Sequence, residues 1–423
     1  MKKRLVFGLC AAVLGSPAVV SAADVSQLSQ QVHPRVVEWR RHIHQHPELG
    51  YQEVKTAAYV AEQLRNMPGM EVQTGISGTT GIKAVLRGKK DGPVIALRAD
   101  MDALPIAEQN NLPFRSEVVS TLDGKQVAVM HACGHDTHVA MLLGAAQILS
   151  GMRDQLNGTV VFILQPAEEG GGGAFKMIEG GVLDNPKVEA IFGQHISAGY
   201  PSGSLEYRAG GTMASADTFS VLVKGEGGHG SSPWAARDPI IATADMIVSL
   251  QSAIARDVNM SLGGSSMTVG LMSGGARRNV IPAEASFSGT VRTLNAENRD
   301  TLQKSFERIV QGTAHSHGVE ADIQYTRLYP VTYNNPTLTS RAVGALKKAA
   351  DGKVKEIPAK MGSEDFGAYG EKIPAFFWFL NASPYVDKAG APNHSPHFVI
   401  DESAMLVGVR AMVETSLSYF DNK

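Results

Sequence analysis

The chain has 423 residues, of which 43% are hydrophobic and 19% are charged, and its formal net charge at pH 7 is −2. A chain of this length is too long for one ordinary hydrophobic core, so two domains are expected. The nearly balanced charge argues against a surface that binds nucleic acid or another polyanion.

The N-terminus predicts a secretory signal peptide over residues 1–23. Residues 2–4 are basic, residues 5–14 form a short apolar stretch, and residues 20–23 are small enough for cleavage. The apolar stretch is too short for a stable membrane anchor. We therefore expect an exported protein, periplasmic or secreted, that has no membrane attachment after the signal peptide is removed.

Strand-like and helix-like segments alternate in the first half of the mature chain. Apolar runs at 93–97, 159–164 and 188–192 predict strands, and the Ala- and Leu-rich segment 138–152 predicts a buried helix. This alternation predicts an α/β catalytic domain with a mostly parallel sheet. Ligands of such sheets collect at the carboxyl ends of the strands. The polar residues that follow the predicted strands are Asp100, Asp102, Glu168, Glu169 and His195.

From about residue 209 the pattern changes to half-buried strands and amphipathic helices. Strands are predicted at 215–223, 266–271, 283–294 and 319–328, and helices at 240–255 and 297–314. This order predicts a smaller α+β domain, with a four-stranded sheet and two helices, inserted at 209–328. Residues 24–208 and 329–423 are then expected to form one catalytic domain.

The strongest chemical signal is the segment MHACGHDTH at 130–138, directly before the predicted helix. Gly134 allows a tight turn, so that Cys133 and His135 can face one centre. Thiolate and imidazole suit zinc, and they also accept manganese, cobalt or nickel. The alternative is that Cys133 is a nucleophile and that His135 or His138 is its base.

Glu168 and Glu169 follow an apolar strand and precede four glycines. Adjacent carboxylates normally repel each other in solvent, but beside a metal ion one can bind the ion while the other accepts a proton from its water. A cysteine mechanism gives this pair no task, so the pair favours metal catalysis. The glycine run lacks the lysine and the spacing of a phosphate-binding loop.

Histidines elsewhere in the chain complete a possible ligand set. His195 ends a predicted strand, and His394 lies in a polar turn near the C-terminus. Five ligands are about what two metal ions separated by about 3.5–4 Å need. The set consists of Cys133, His135, Glu169, His195 and His394.

Five motifs, in order along nearly the whole mature chain, together resemble peptidase family M20. They are HIHQHPELG at 42–50, RADMDALP at 98–105, HACGHDTH at 131–138, EEG at 168–170 and MGSEDF at 361–366. Within the family, they are most similar to the amidohydrolase branch, which includes hippurate hydrolases, N-acyl-amino-acid hydrolases and auxin-conjugate hydrolases. The resemblance implies a site for two divalent metal ions and a smaller domain that often mediates dimerisation.

The resemblance also implies roles for single residues. It makes the five side chains of the ligand set metal ligands and Glu168 the general base, and Asp102 resembles an outer carboxylate that orients a ligand. His229, between glycines, resembles a histidine that stabilises the oxyanion, often from a partner subunit, and Asn279 resembles a substrate-contacting asparagine.

Several neighbouring residues keep open roles. His397 competes with His394 as the ligand. Asp100 stands where other branches of the family place a histidine ligand, and Asp136 is a further candidate for an outer carboxylate. The remaining histidines are expected to be structural or exposed, namely His42, His44, His46, His315 and His317.

The resulting hypothesis is metal-dependent hydrolysis of the amide bond of a small N-acyl amino acid, with an acetyl, benzoyl or aryl-acetyl group, and with Glu168 as general base. One alternative is a metallo-carboxypeptidase or dipeptidase that acts on small peptides. Another is a periplasmic binding protein without catalysis, which would be expected to lack the base or a ligand. A homodimer through the inserted domain is implied by the resemblance alone.

Overall fold

The computed structural model describes residues 22–421. The predicted signal peptide therefore lies almost entirely outside the described residues. Within residues 22–421, no helix is both long enough and apolar enough to cross a membrane.

The chain forms nine α-helices and eighteen strands within residues 22–421. The elements before the second sheet are α1 (Ala22–Gln45), α2 (Val54–Arg65), β1 (Met70–Thr74), β2 (Ile82–Arg87), β3 (Val94–Asp100), β4 (Val119–Leu122), β5 (Lys125–Ala128), α3 (His135–Gly151), β6 (Thr159–Gln165), α4 (Gly173–Glu179), β7 (Ala190–Ser197), β8 (Leu205–Tyr207) and β9 (Gly210–Met213). The second sheet and its helices comprise β10 (Ala216–Lys224), β11 (Gly228–His229), α5 (Pro239–Ser252), β12 (Ser265–Gly274), β13 (Val280–Ile281), β14 (Glu284–Thr293), α6 (Ala296–His317) and β15 (Glu320–Tyr329). The chain ends with β16 (Thr332–Asn334), α7 (Pro336–Ala349), β17 (Val354–Glu356), α8 (Gly367–Gly370), β18 (Ala375–Asn381) and α9 (Met405–Asp421).

The larger sheet has eight strands in the order β1-β2-β6-β3-β7-β18-β8-β17. Its four central strands, β6, β3, β7 and β18, run parallel to one another. The sequence therefore predicted the α/β class and the mostly parallel sheet correctly. Side chains of β6 alternate between two cores, with Phe162 packed among residues of α1, α3 and α9, and Val161 packed with α4 and α8 on the other face.

The smaller sheet is antiparallel, in the order β12-β14-β10-β15. Helices α5 and α6 cover one face of it, and Phe219, Phe287 and Phe306 fill the core between them. This is the predicted arrangement of four strands and two helices. The division of the chain at residues 209 and 328 stays a prediction. Just outside the smaller sheet, the outgoing strand β9 pairs with the returning strand β16.

The sheet direction places the chemistry of the larger domain at one edge. Because β3, β6 and β7 are parallel, Asp100 at the end of β3 and the Glu168–Glu169 pair beyond β6 emerge on the same side as His195 near the end of β7. The N-terminus of α3 begins there with His135. The predicted functional residues of this domain therefore meet where ligands of parallel sheets bind.

Candidate metal centre

A tight turn before α3 presents two of the predicted ligands. Gly134 has a φ of +90°, a left-handed conformation that residues with a Cβ rarely adopt. A Cβ at this position would also lie 2.4 Å from Cγ2 of Ile196. Only glycine fits, and the turn lets Cys133 and His135 lie on either side of it facing the same space, as the sequence predicted.

The five predicted ligands and Glu168 converge on this space. Three overlapping groups have one ligand-type atom of each member within 4.8 Å of the others. The groups are Cys133–His135–His195, Cys133–Glu169–His394 and His135–Glu168–Glu169. Residues more than 200 positions apart thus form one cluster of sulfur, nitrogen and oxygen donors.

His135, which is buried, and His195, which is partly buried, direct their Nε2 atoms into the cluster. His135 Nδ1 donates to the backbone oxygen of Asp102 at 2.8 Å, and His195 Nδ1 donates to the backbone oxygen of Ile196 at 2.7 Å. A carbonyl only accepts, so each Nδ1 carries a proton, and each ring in its neutral form has its lone pair on Nε2. Nε2 of His195 lies 3.4 Å from Cys133 Sγ, and Nε2 of His135 is buried without a hydrogen-bond partner.

His394 comes from a loop that is fixed against the same turn. Its φ is +68°, and its backbone N–H donates to Ala132 at 2.8 Å. The preceding residue, Asn393, donates its side-chain amide to the backbone oxygens of Cys133 (2.8 Å) and Ile196 (3.1 Å). Asn393 carries no sequence signal for this role, because a polar turn does not show which distant carbonyls its side chain contacts.

His394 and Glu169 form an ion pair whose geometry is poor for a hydrogen bond. Nε2 of His394 is 2.9 Å from Oε1 of Glu169, yet this oxygen is buried and has no partner in hydrogen-bond geometry. The nearby Cys133 thiol and the Glu169 carboxylate raise the pKa of His394 to about 10 in the metal-free protein. Nε2 of His135 and Oε1 of Glu169 are buried without a hydrogen-bond partner, and with the Cys133 thiol beside them they fit divalent cations.

The comparisons with known proteins identify the family. Residues 96–418 match the sequence profile of peptidase family M20/M25/M40. The chain belongs to peptidase family M20.

Similar M20 proteins cover nearly the whole chain. N-acetylcysteine deacetylase of Bacillus subtilis is 38% identical over 385 residues, which cover 91% of this chain and 97% of the relative. Thermostable carboxypeptidase 2 of Saccharolobus solfataricus is 37% identical over 397 residues (93% and 97%). IAA-amino acid hydrolase ILR1-like 2 of Arabidopsis thaliana is 36% identical over 417 residues (95% and 91%).

Solved structures agree with this assignment. A putative aminohydrolase from methicillin-resistant Staphylococcus aureus superposes with a TM-score of 0.86 at 35% identity, over 95% of this chain and all of that chain. The YxeP protein of Bacillus subtilis, described as a dinuclear metal-binding peptidase from the M20 family, has a TM-score of 0.78 at 35% identity, over 93% of this chain and all of that chain. This M20 chain is therefore a metal-dependent hydrolase.

Asp102 of the M20 chain hydrogen-bonds to three residues of the cluster. Its Oδ1 lies 3.2 Å from His135 Nδ1, and its carboxylate accepts the backbone N–H groups of Glu168 (3.0 Å) and Glu169 (2.9 Å). One carboxylate thereby orients a histidine and the main chain of both glutamates. The structure places Asp102 where the predicted orienting role requires it.

Glu168 is buried beside two carboxylates to which the sequence analysis assigned no role. Ligand-type oxygens of Glu168, Glu364 and Asp365 lie within 4.8 Å of one another. Burial, followed by repulsion from these two neighbours and from Glu169, raises the pKa of Glu168 well above its usual value in the metal-free protein. The only described cation bonded to the pair is Arg98, whose Nη2 lies 2.9 Å from Glu364 and 3.0 Å from Asp365.

Asp100 belongs to the same buried network. It accepts from Arg98 Nη1 at 2.6 Å and from His138 Nδ1 at 2.6 Å, and it lies 3.8 Å from His135 Nε2. Nε2 of His138 accepts the backbone N–H of Ile196 at 2.8 Å. Both nitrogens of His138 are therefore engaged, which argues against His138 as a base for a cysteine nucleophile.

Asp136 departs from the prediction of an outer carboxylate. Its described bonds go to Arg40 Nε at 2.7 Å and to His44 Nδ1 at 2.9 Å, behind α3, and none goes to the ligand set. His44 is fully buried and also lies 3.2 Å from Glu108. These residues anchor α1 against the start of α3, so His44 is structural, as expected.

The two predicted substrate residues lie apart from the cluster. His229 is on β11 and Asn279 directly precedes β13, the two strands of a short ribbon beside the smaller sheet, and both residues are exposed. Nδ1 of His229 accepts from the Ser231 hydroxyl at 2.7 Å. Among the contacts of the described residues, none joins His229 or Asn279 to Glu168.

The choice between His394 and His397 gives a testable prediction. His397 is exposed and belongs to none of the donor groups found among the described residues, whereas His394 belongs to one. We expect His394→Ala to weaken metal binding by at least about 100-fold, the upper end of the effect of losing an outer partner. His397→Ala is the matched control and should bind metal like the parent. Titration calorimetry measures the zinc affinity of both variants. The assignment is wrong if His397→Ala loses affinity and His394→Ala keeps it.

Proposed function

We propose that this protein hydrolyses the amide bond of small N-acyl amino acids that carry acetyl, benzoyl or aryl-acetyl groups. The observation that carries the proposal is the convergence of five donor side chains beside a buried carboxylate, Glu168, that is left over for proton transfer. The names of the relatives add support, since an N-acetylcysteine deacetylase and an IAA-amino acid hydrolase are each similar over at least nine-tenths of this chain.

The ligand set would hold two divalent ions. When bound, the ions supply a water of lowered pKa and an electrophile for the carbonyl oxygen. Cys133, His135 and His195 form one donor group, and Glu169 with His394 extends it. Thiolate, imidazole and carboxylate together suit zinc, manganese, cobalt or nickel.

The chain's own residues perform the proton transfers. Glu168 accepts the proton of the attacking water at its carboxylate and delivers it to the nitrogen of the leaving amine. The hydrogen bond from the backbone N–H of Glu168 to Asp102 fixes the main-chain position from which the Glu168 side chain extends. Burial of Glu168 keeps bulk water from exchanging that proton before it is delivered.

A panel of substrates tests the proposal. The second candidate, a carboxypeptidase or dipeptidase, is favoured by the similarity to thermostable carboxypeptidase 2. Purified protein reloaded with zinc, manganese or cobalt would be assayed on N-acetyl, benzoyl and indole-acetyl amino acids and on dipeptides with the same C-terminal residue. We expect kcat/KM for the best acyl amino acid to exceed that for every dipeptide. The reverse order would assign peptidase activity instead.

We also propose a homodimer that brings His229 and Asn279 to the substrate of the partner subunit. Strand β12 is a ten-residue edge of the smaller sheet, and exposed apolar side chains line it and the neighbouring helix α5. These side chains are Leu271, Met272, Ile241 and Val248. A long, apolar edge strand favours pairing with a second copy. Light scattering should give twice the mass of the chain, and a monomer at assay concentration would contradict the proposal.

Export is the remaining proposal, and it rests on residues 1–23 of the sequence. We expect protein made from the full gene to accumulate outside the cytoplasm with its first residues removed near position 23. Intact-mass measurement of the exported fraction tests this. Full-length chain confined to the cytoplasm would contradict it.

A further inference from the structure

One peptide plane connects the proposed base to a proposed ligand. The plane between Glu168 and Glu169 carries the carbonyl of the first residue and the N–H of the second. The N–H donates to Oδ2 of Asp102 at 2.9 Å, and the carbonyl accepts the hydroxyl of Tyr329 at 2.6 Å. The rotation of this plane sets the direction of both glutamate side chains, so whatever holds its two ends positions them.

The loop that contains this plane is held by two short internal hydrogen bonds and by contacts from outside. Ala167 has a φ of +50°, and Gly170 and Gly172 also have positive φ, so the loop forms no helix or strand. Its internal bonds run from the N–H of Gly170 to the Glu168 carbonyl (2.8 Å) and from the N–H of Gly173 to the Ala167 carbonyl (3.1 Å). Glu53, fully buried, accepts the N–H of Ala167 at 2.9 Å. The Tyr329 hydroxyl additionally accepts the N–H of Gly172 at 3.3 Å, so that one oxygen joins both ends of the loop.

Tyr329 differs from the other contacts of the loop in where it comes from. Asp102 and Glu53 belong to the larger domain, whereas Tyr329 is the last residue of β15 in the smaller sheet and pairs with Ala216 of β10. Among the described residues of the smaller sheet, Tyr329 is the one that hydrogen-bonds to this loop. Directly beyond it, the chain re-enters the larger domain through β16.

We propose that Tyr329 is a positioning residue, which couples the placement of the smaller sheet to the orientation of Glu168. The proposal rests on the proposed function in that Glu168 is taken as the base. A rotation of the smaller sheet about the two connecting stretches displaces the Tyr329 hydroxyl and turns the peptide plane with it. The base is then aligned in one arrangement of the two domains and misaligned in others.

The same strand offers a matched control. Tyr325, four residues earlier on β15, donates its hydroxyl to Asp217 at 2.9 Å within the smaller domain. Tyr329→Phe and Tyr325→Phe each remove one partly or fully buried hydroxyl and keep the ring. A general loss of stability affects both variants, and misplacement of the base affects the first alone.

The experiment measures kcat, KM, bound metal and amide hydrogen exchange of residues 166–175 in both variants. We expect Tyr329→Phe to lower kcat about tenfold, less than the roughly 100-fold that a 1 Å misplacement can cost. KM and metal content should stay within about twofold of the parent, and the loop amides should exchange faster. Tyr325→Phe should keep kcat and the exchange of this loop unchanged.

Two outcomes overturn the proposal. One is parental kcat and parental loop exchange in Tyr329→Phe, and the other is an equal loss of kcat in both variants. Failure of the proposed function is separable, because it appears as full activity of Glu168→Gln whatever Tyr329→Phe does. If loop exchange is faster in Tyr329→Phe alone and Glu168→Gln is fully active, Tyr329 stabilises the loop but has no role in catalysis.

Discussion

Replacing Glu168 by glutamine should lower kcat by about 1,000-fold, within the roughly 10²–10⁴-fold that general acid–base groups contribute. The amide has nearly the shape of the carboxyl group but cannot take a proton at the relevant pH. The backbone N–H of residue 168 still reaches Asp102, and no group of the ligand set is removed. Metal content should therefore remain that of the parent.

Steady-state kinetics and elemental analysis on the same preparation check this expectation. Parental turnover in Glu168→Gln would show that another group accepts the proton. Loss of metal together with activity would instead place Glu168 among the ligands, a possibility that its closeness to His135 and Glu169 makes worth measuring.

Removing the metal should abolish activity almost completely. Without ions, nothing lowers the pKa of the water from which Glu168 takes a proton, and the Cys133 thiol, whose pKa is raised by burial, is a poor nucleophile at neutral pH. We expect a chelator to reduce turnover to background and added zinc, manganese or cobalt to restore it. A cysteine hydrolase would keep its activity in the chelator, and that result would revive Cys133 as a nucleophile.

A stability measurement on the same samples adds a check on the site. Ions that bind only the folded chain stabilise it in proportion to the logarithm of their concentration over Kd. The melting temperature should fall in the chelator and recover with the metal. An unchanged melting temperature alongside lost activity would indicate that the chelator acts in some other way than by emptying this cluster.

The local parts of the site were predictable from the sequence. Gly134 between Cys133 and His135 specifies a tight turn, and the ends of apolar strands specify where Asp102 and Glu168 emerge. These inferences use residues within a few positions of each other or the common direction of parallel strands. The mostly parallel sheet and the four-stranded sheet with two helices follow in the same way from periodicity.

Contacts between distant segments were not predictable. Asp136 is next to a ligand in sequence and was one candidate for an outer carboxylate, but on α3 its side chain bonds to Arg40 and His44 and to no ligand. Tyr329 carries no motif that points to the loop after β6, since the contact depends on how the two sheets are placed relative to each other. Pairings of that kind require the folded structure.

We expect two divalent ions to bind to Cys133, His135, Glu169, His195 and His394. Anomalous diffraction from crystals of zinc-loaded protein tests this binding directly. Elemental analysis of the same protein gives the number of zinc ions per chain. We predict two ions per chain, bound to these five side chains, with Glu168 adjacent and not a ligand. Ions bound elsewhere, or no ion within reach of Cys133 and His394 after loading, would contradict the account.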